Sequence, residues 1–171
     1  AKIKTITDQM DGVSKAFESM NKCVEFIQST VFKNAKIILG FMPVKDEVDI
    51  LPILRTALEQ QKIVAVPRII PHTNDMNFHI IKSNIIEETV QSSFGIYEPS
   101  LSSQIADFSE LSKQYSASEV VFLVPGQAFG KDLTRLGSGM GFYDKFLSYL
   151  DGLYGAEKPV KVGVCYNAQI F

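Results

Sequence analysis

Residues 37–67 have the sequence I-I-L-G-F-M-P-V-K-D-E-V-D-I-L-P-I-L-R-T-A-L-E-Q-Q-K-I-V-A-V-P, in which two short apolar runs flank an amphipathic stretch. The runs at 37–39 and 63–67 are continuous, as in parallel strands that are covered on both faces. Pro52 lies between them and suits the first turn of a helix. A strand, a helix and a second strand in this order predict an α/β fold.

The flanking segments extend this pattern. Upstream, apolar residues at steps of four and three predict one long helix whose apolar face packs on the sheet. These residues are Val13, Phe17, Met20, Val24, Ile27 and Val31. Downstream, residues 76–81 predict a strand near the sheet edge, residues 120–124 the most buried strand, and residues 160–164 a last strand. We expect one domain over residues 1–171, a three-layer α/β/α sandwich around a mostly parallel, mixed sheet.

The loop after residues 120–124 carries the clearest functional pattern. Gly137, Gly139 and Gly141 alternate between Arg135 and the sequence F-Y-D that ends in Asp144. Glycine lacks Cβ and takes positive φ, so successive backbone N–H groups can turn toward one anion. Arg135 adds a planar charged fork, and Asp144 suits a hard cation such as Mg²⁺. The pattern predicts a phosphate site, with a glycine-rich turn that binds nothing as the alternative.

A second loop with candidate functional residues follows the strand at residues 37–39. It holds Met42 and Glu47. Ligands of open α/β sheets gather beyond the carboxyl ends of the strands. If the two strands are neighbours, this loop and the glycine loop face one cleft, where Glu47 meets an organic substrate and the glycine loop holds phosphate.

Composition excludes several classes of function. The 171 residues are 46% apolar with a formal net charge of −2, which offers no basic field for nucleic acid. The sequence has no apolar run of the roughly 18 residues that a transmembrane helix needs. We therefore expect a soluble protein with no nucleic-acid or membrane partner. We further expect it to be cytoplasmic and a monomer.

The remaining reactive side chains carry no pattern of their own. Cys23 and Cys165 have no C-x-x-C neighbour, which predicts two buried free thiols, and His72 and His79 are assigned no role. The chain begins without methionine and stops within apolar sequence at Phe171, so we expect one or both natural ends to be missing.

Five short elements occur in order along the chain. They are E-V-D at 47–49, V-P-R at 66–68, G-I-Y-E-P at 95–99, V-P-G-Q-A-F at 124–129 and R-L-G-S-G-M-G-F-Y-D at 135–144. In these elements the chain resembles the 5-formyltetrahydrofolate cyclo-ligases, also called methenyltetrahydrofolate synthetases. The resemblance runs from about Val13 to the end, and its glycine-loop element is quite specific to the family.

The resemblance implies a fold of the CoA-transferase type and an activity. ATP with Mg²⁺ phosphorylates the formyl oxygen of 5-formyltetrahydrofolate. The N10 nitrogen of the folate then attacks the formyl carbon, phosphate leaves, and 5,10-methenyltetrahydrofolate forms together with ADP. No protein nucleophile is required, in keeping with a sequence that has no Ser-His or Cys-His pattern.

The resemblance also implies a role for each matching residue. Arg135 and Tyr143 are the implied catalytic residues, and Asp144 is the implied Mg²⁺ ligand. The implied ATP-binding residues are Arg135, Leu136, Gly137, Ser138, Gly139, Met140, Gly141, Phe142 and Tyr143. The implied folate-binding residues are Met42, Glu47, Ser138, Gly139, Met140, Gly141 and Phe142.

Each role has a structural alternative. Glu47 could cap the helix that begins near Pro52, Met42 and Tyr143 could belong to the core, and Arg135 could pair with an acidic surface residue.

The chain also departs from the family pattern. Gly130, Leu133, Ser138 and Met140 stand where many relatives have other residues. The loss of a possible lysine near the phosphates would weaken electrostatic stabilisation. A basic pair that reaches ATP in the family falls before Ala1, with Lys2 and Lys4 as weak substitutes, and a second acidic metal-site residue would follow Gln169 beyond the chain end.

Two other functions remain open at this point. One is a relative with little or no turnover that binds folate or nucleotide. The other is a sugar-phosphate or CoA-handling enzyme, which would leave Glu47 and the element at 95–99 unexplained.

Overall fold

The structure is a computed structural model that describes residues 7–92 and 95–171. Lys2 and Lys4 lie outside the described residues. The strands are β1 (Ile37–Leu39), β2 (Ile63–Ile69), β3 (Met76–Ile81), β4 (Thr89–Gln91), β5 (Tyr97–Pro99), β6 (Val120–Pro125), β7 (Ala128–Phe129), β8 (Arg135–Leu136) and β9 (Val160–Val164). The helices are α1 (Gly12–Gln28), α2 (Thr30–Asn34), α3 (Leu51–Glu59), α4 (Phe108–Gln114) and α5 (Phe142–Tyr154).

A five-stranded central sheet runs through the described residues in the order β3-β2-β1-β6-β9. The β1 strand is parallel to β2 and β6, β6 is parallel to β9, and β3 is antiparallel to β2 at the edge. The predicted mostly parallel, mixed sheet is confirmed, including the edge position of residues 76–81. Two small antiparallel pairs, β4 with β5 and β7 with β8, were not predicted.

Helices cover both faces of the sheet. Alternate strand residues point to opposite faces, so Ile38 and Val64 pack with α1 and α3, while Ile37 and Phe122 pack with α4 and α5. This arrangement confirms the expected three layers. The parallel strands β1 and β6 are short and buried throughout, which is why they appear in the sequence as continuous apolar runs.

The prediction of one long first helix was wrong in its extent. The helix α1 ends at Gln28, and α2 begins after Ser29. The Ser29 hydroxyl donates to the Phe26 carbonyl at 2.6 Å and accepts from the Phe32 N–H at 3.2 Å. Serine thus closes one helix and caps the next, because its side chain competes with the backbone for hydrogen bonds.

The buried face of α1 was predicted correctly only near its C-terminal end: Ile27, and Val31 on α2, do pack against the core. Val13, Phe17, Met20 and Val24 are exposed, and the helix buries Ser19 and Cys23 instead. These two side chains bind the backbone of Asp49: its N–H donates to Ser19 Oγ at 3.1 Å, and the Cys23 thiol donates to its carbonyl at 3.2 Å. Backbone groups buried beneath a helix require such partners, and periodicity in sequence does not reveal them.

The sheet topology places the two predicted loops together. The β1 and β6 strands are adjacent and parallel, with Leu39 opposite Phe122, so the loops that follow them leave the same edge of the sheet. This adjacency satisfies the condition on which the predicted cleft depended.

The remaining sequence predictions concern the thiols and the membrane. Cys23 and Cys165 are both buried and free, as expected. Within residues 7–92 and 95–171, the structure has no helix that is long and apolar enough to cross a bilayer.

Candidate functional site

A cavity of about 300 Å³ lies at the carboxyl ends of β1 and β6. Five residues predicted from sequence line it together: Glu47, Arg135, Gly137, Ser138 and Tyr143. The lining residues that sequence analysis did not predict are Thr7, Val44, Asp46, Pro125, Gly126, Gln127 and Gln169. The glycine loop and the loop after β1 therefore do meet in one cavity.

Arg135 lies on β8 and is fixed by two hydrogen bonds. Its Nη1 donates to the carbonyl of Pro125 at 3.1 Å, and its Nη2 donates to Asp144 Oδ1 at 2.6 Å. A Cβ on residue 137 would lie only 2.9 Å from Nη1, so glycine there lets the guanidinium fold back over the loop. Since a guanidinium has five N–H donors, further donors remain for an anion.

The glycine loop leads directly into α5. Gly139 and Gly141 have φ values of 91° and 74°, in the left-handed region that favours glycine. Gly141 is the N-cap of α5 and supplies no side-chain cap. The first N–H groups of a helix have no intrahelical partner and form its positive end, and α5 places this end next to the cavity that Tyr143 lines.

Tyr143 packs against the core and also lines the cavity. Its ring packs 6.1 Å from the ring of Phe122, and the Arg135 guanidinium lies 5.7 Å from its centroid. Burial raises the pKa of Tyr143, the charge of Glu47 raises it further, and Arg135 opposes both. The phenol therefore stays neutral and can donate a hydrogen bond.

Glu47 orders its own loop rather than a helix. Its Oε2 accepts the N–H of Val44 at 3.1 Å. The first N–H groups of α3 turn elsewhere, since Leu51 donates to Asp49 Oδ1 at 3.0 Å, so the helix-cap alternative for Glu47 was wrong. Burial raises the pKa of Glu47, the Val44 N–H lowers it, and Asp46 raises it. A desolvated carboxylate of this kind is a strong acceptor for N–H groups of a ligand.

Asp144, the implied metal ligand, is 70% exposed at the start of α5 and pairs with Arg135. Among residues 7–92 and 95–171, no group of three or more His, Cys, Asp or Glu side chains is close enough together to hold a metal ion. Mg²⁺ commonly binds through one or two carboxylates together with water and substrate phosphates. A single exposed carboxylate beside a glycine loop fits that donor set.

Some implied residues lie away from this cavity. Met42 is buried in the core. Leu136 and Met140 are exposed, and Phe142 lines a separate cavity of about 360 Å³ together with Met76. Phe142 and Tyr143 thus serve different cavities, because consecutive residues of a helix point in different directions.

Gln169 is the most consequential residue that sequence analysis left without a role. It is buried, lines the cavity and contacts the loop after β6. Only its resemblance to a glutamine of the family pointed to it, since its partners in the loop after β6 are more than 40 residues away along the chain.

Comparison with known proteins gives a consistent result. A model of the 5-formyltetrahydrofolate cyclo-ligase family matches residues 4–171. The chain is 28% identical over 171 residues to 5-formyltetrahydrofolate cyclo-ligase of Mus musculus, which covers 99% of this chain and 81% of the mouse protein. It is 31% identical over 161 residues to the mitochondrial 5-formyltetrahydrofolate cyclo-ligase of Arabidopsis thaliana, covering 85% of this chain and 57% of the plant protein.

Solved structures agree with the fold. The NMR structure of Aquifex aeolicus 5,10-methenyltetrahydrofolate synthetase superposes with a TM-score of 0.73 at 25% identity, covering 99% of this chain and 78% of the other. A 5,10-methenyltetrahydrofolate synthetase from Mycoplasma pneumoniae gives a TM-score of 0.68 at 21% identity, covering 99% and 85%, and supports the fold.

Proposed function

Because the chain belongs to the 5-formyltetrahydrofolate cyclo-ligase family, we propose that it uses ATP and Mg²⁺ to convert 5-formyltetrahydrofolate to 5,10-methenyltetrahydrofolate, releasing ADP and phosphate. The observation that supports this most is the single cavity that holds Glu47, Arg135, Gly137 and Tyr143. It combines an acceptor for pterin N–H groups with donors for phosphate.

The phosphate half of the reaction depends on charge and position. The formyl oxygen attacks the terminal phosphorus of ATP and the bond to ADP breaks. Arg135, the N–H groups of the glycine loop and the start of α5 stabilise the negative charge of the transferring group. Mg²⁺ bound at Asp144 would supply further positive charge to the nucleotide phosphates.

The folate half depends on orientation. Glu47 accepts N–H groups of the pterin, while the neutral Tyr143 phenol donates a hydrogen bond and its ring forms a wall of the cavity. N10 then attacks the formyl carbon and loses its proton, and phosphate leaves with the formyl oxygen. Met42 is buried in the core and Phe142 lines the other cavity, so we assign the folate contacts to Glu47 and Tyr143 instead. We also propose that the protein acts as a cytoplasmic monomer.

The experiment is a direct assay of product. Mixing the protein with ATP, Mg²⁺ and 5-formyltetrahydrofolate is expected to produce the absorbance of the methenyl product. Omitting ATP or Mg²⁺ is expected to remove it. Ligand binding without any product would contradict the catalytic proposal.

The matched variants are Arg135→Ala and Arg55→Ala, since Arg55 is exposed on α3, away from the cavity. Arg135→Ala is expected to lower kcat by roughly 10²- to 10³-fold, the range observed when one preorganised donor to developing charge is lost. Its melting temperature should stay close to that of the wild type, and Arg55→Ala should leave both quantities unchanged. Full activity of Arg135→Ala would refute the role of Arg135.

A binding protein without turnover is the second candidate. The ion pair between Arg135 and Asp144 favours it, because the implied phosphate ligand and the implied metal ligand neutralise each other at 2.6 Å. Calorimetry with each ligand, run beside the absorbance assay, separates the two candidates.

A further inference from the structure

One short turn contacts both of the loops that form the candidate cavity. Tyr166 and Gln169, which flank it, are 2% and 4% exposed. The Tyr166 N–H donates to Gln169 Oε1 at 2.8 Å, and the Gln169 N–H donates to the Tyr166 carbonyl at 2.9 Å. These two reciprocal bonds make the turn a single unit with two buried polar side chains.

The Gln169 side chain fixes the loop after β6. Its Nε2 donates to the carbonyls of Gly126 and Gln127 at 3.1 Å and 3.0 Å. Both residues line the cavity with Arg135. Because Oε1 accepts from Tyr166, the neighbours determine the orientation of the amide, and both of its hydrogens are used.

The Tyr166 side chain fixes the loop after β1. Its hydroxyl donates to the Glu47 carbonyl at 2.9 Å. Ser19 Oγ lies 3.4 Å from this hydroxyl and accepts the Asp49 N–H at 3.1 Å. Since the phenol hydrogen is used by Glu47, the serine hydroxyl donates to the tyrosine oxygen. The resulting chain of hydrogen bonds holds both ends of the E-V-D segment, residues 47–49.

We propose that Tyr166 and Gln169 are positioning residues, Tyr166 for the folate side of the cavity and Gln169 for the ATP side. A ligand pair that bridges two loops binds well only if their spacing is already set, since ordering them on binding costs affinity. One rigid turn that grips the backbone of each loop sets this spacing. The inference rests on the proposed function for the identity of the two ligands.

Two nearly isosteric variants test each contact by itself. Tyr166→Phe removes only the hydroxyl. Gln169→Met keeps the length of the side chain and adds no charge, but removes the amide that bonds Tyr166 and the two carbonyls. Tyr97→Phe and Gln114→Met make the same chemical changes at exposed positions and serve as controls.

The measurements are the dissociation constants of Mg-ATP and of 5-formyltetrahydrofolate, each determined alone by calorimetry, and the two KM values. Tyr166→Phe is expected to weaken folate binding roughly tenfold and to leave ATP binding within about twofold. Gln169→Met is expected to show the reverse pattern, again roughly tenfold. The control variants should leave all four constants unchanged.

The outcomes separate this inference from the proposed function. Equal weakening of both ligands by each variant, or a lower melting temperature with unchanged constants, would overturn it, because a general structural staple has no preference between ligands. A wild-type protein that binds both ligands without product contradicts the proposed function, yet ligand-specific losses in the variants still support the positioning role. Normal turnover without ligand-specific losses would support the proposed function and overturn the positioning role.

Discussion

At the scale of single residues, the ion pair between Arg135 and Asp144 links the two charges on which the proposed chemistry depends. Asp144 is mostly exposed, whereas the Arg135 side chain is 14% exposed and held by the Pro125 carbonyl. The carboxylate is therefore the partner that is freer to move. Binding of nucleotide with Mg²⁺ would break this ion pair, because phosphate would bind the Arg135 guanidinium and Mg²⁺ would bind the Asp144 carboxylate.

Asp144→Asn tests this exchange. The variant is expected to bind Mg²⁺-free ATP several-fold more tightly, because the loss of one nearby negative charge removes a repulsion and frees Arg135. Stimulation of turnover by Mg²⁺ should fall, because an amide is a weaker ligand for a hard cation. Calorimetry with and without a chelator measures the first effect, and Glu110→Gln on α4 is a control for the charge change. Equal loss of ATP affinity with and without Mg²⁺ would contradict the metal role.

At the scale of elements, the segment that follows β5 covers the edge of the central sheet at β3. The Ile80 N–H donates to the Gln104 carbonyl and the Ala106 N–H donates to the Phe78 carbonyl, each at 2.8 Å. Between them, His79 is buried, with its Nδ1 2.9 Å from Ser103 Oγ. The segment protects β3 from pairing with another chain, as edge strands require.

This contact predicts a pH dependence of stability. Burial lowers the pKa of His79 and the charge of Arg68 lowers it further, while the Ser103 carbonyl and Glu98 oppose them. A histidine whose pKa is lower in the folded state stabilises the fold fully above its unfolded pKa of about 6.5 and loses this contribution as pH falls below that value.

The matched variants are His79→Asn and His72→Asn, since His72 is exposed and asparagine can keep the hydrogen bond that Nδ1 makes. Urea unfolding at pH 7.5 and pH 5.5 should show a smaller loss of stability on acidification for His79→Asn than for the wild type. His72→Asn should retain the loss seen in the wild type. If His79→Asn loses as much stability on acidification as the wild type, the group that titrates is not His79.

At the scale of the whole molecule, the sequence predicted correctly those elements that are buried on both faces or that carry a motif of their own. The β1 and β6 strands are buried along their whole length and β2 is buried at residues 64–66, so all three appear in the sequence as apolar runs. The glycine loop carries its own motif. The β7 and β8 strands have two residues each, too few to show an alternation. Tyr166 and Glu47 are 119 residues apart, so no local pattern could connect them.

The orientation of α1 over the sheet was likewise not predictable from a local pattern. It gives the last prediction. The α1 apolar stripe of Val13, Phe17, Met20 and Val24 is exposed, whereas Ser19 and Cys23 are buried and bind the Asp49 backbone. Phe17 on α1 is 69% exposed, whereas Phe32 on α2 is fully buried. The same substitution at these two positions therefore reports which face of the helical layer packs on the sheet.

Phe32→Ala is expected to lower the free energy of unfolding by about 3–5 kcal/mol, the usual cost of removing a buried phenylalanine ring. Phe17→Ala should change it by less than about 0.5 kcal/mol, as for most exposed positions. Urea unfolding of the two variants gives both values. A loss at Phe17 as large as that at Phe32 would mean that the apolar stripe packs against the core, and α1 would then have to be rotated, which would withdraw Ser19 from Asp49 and from Tyr166.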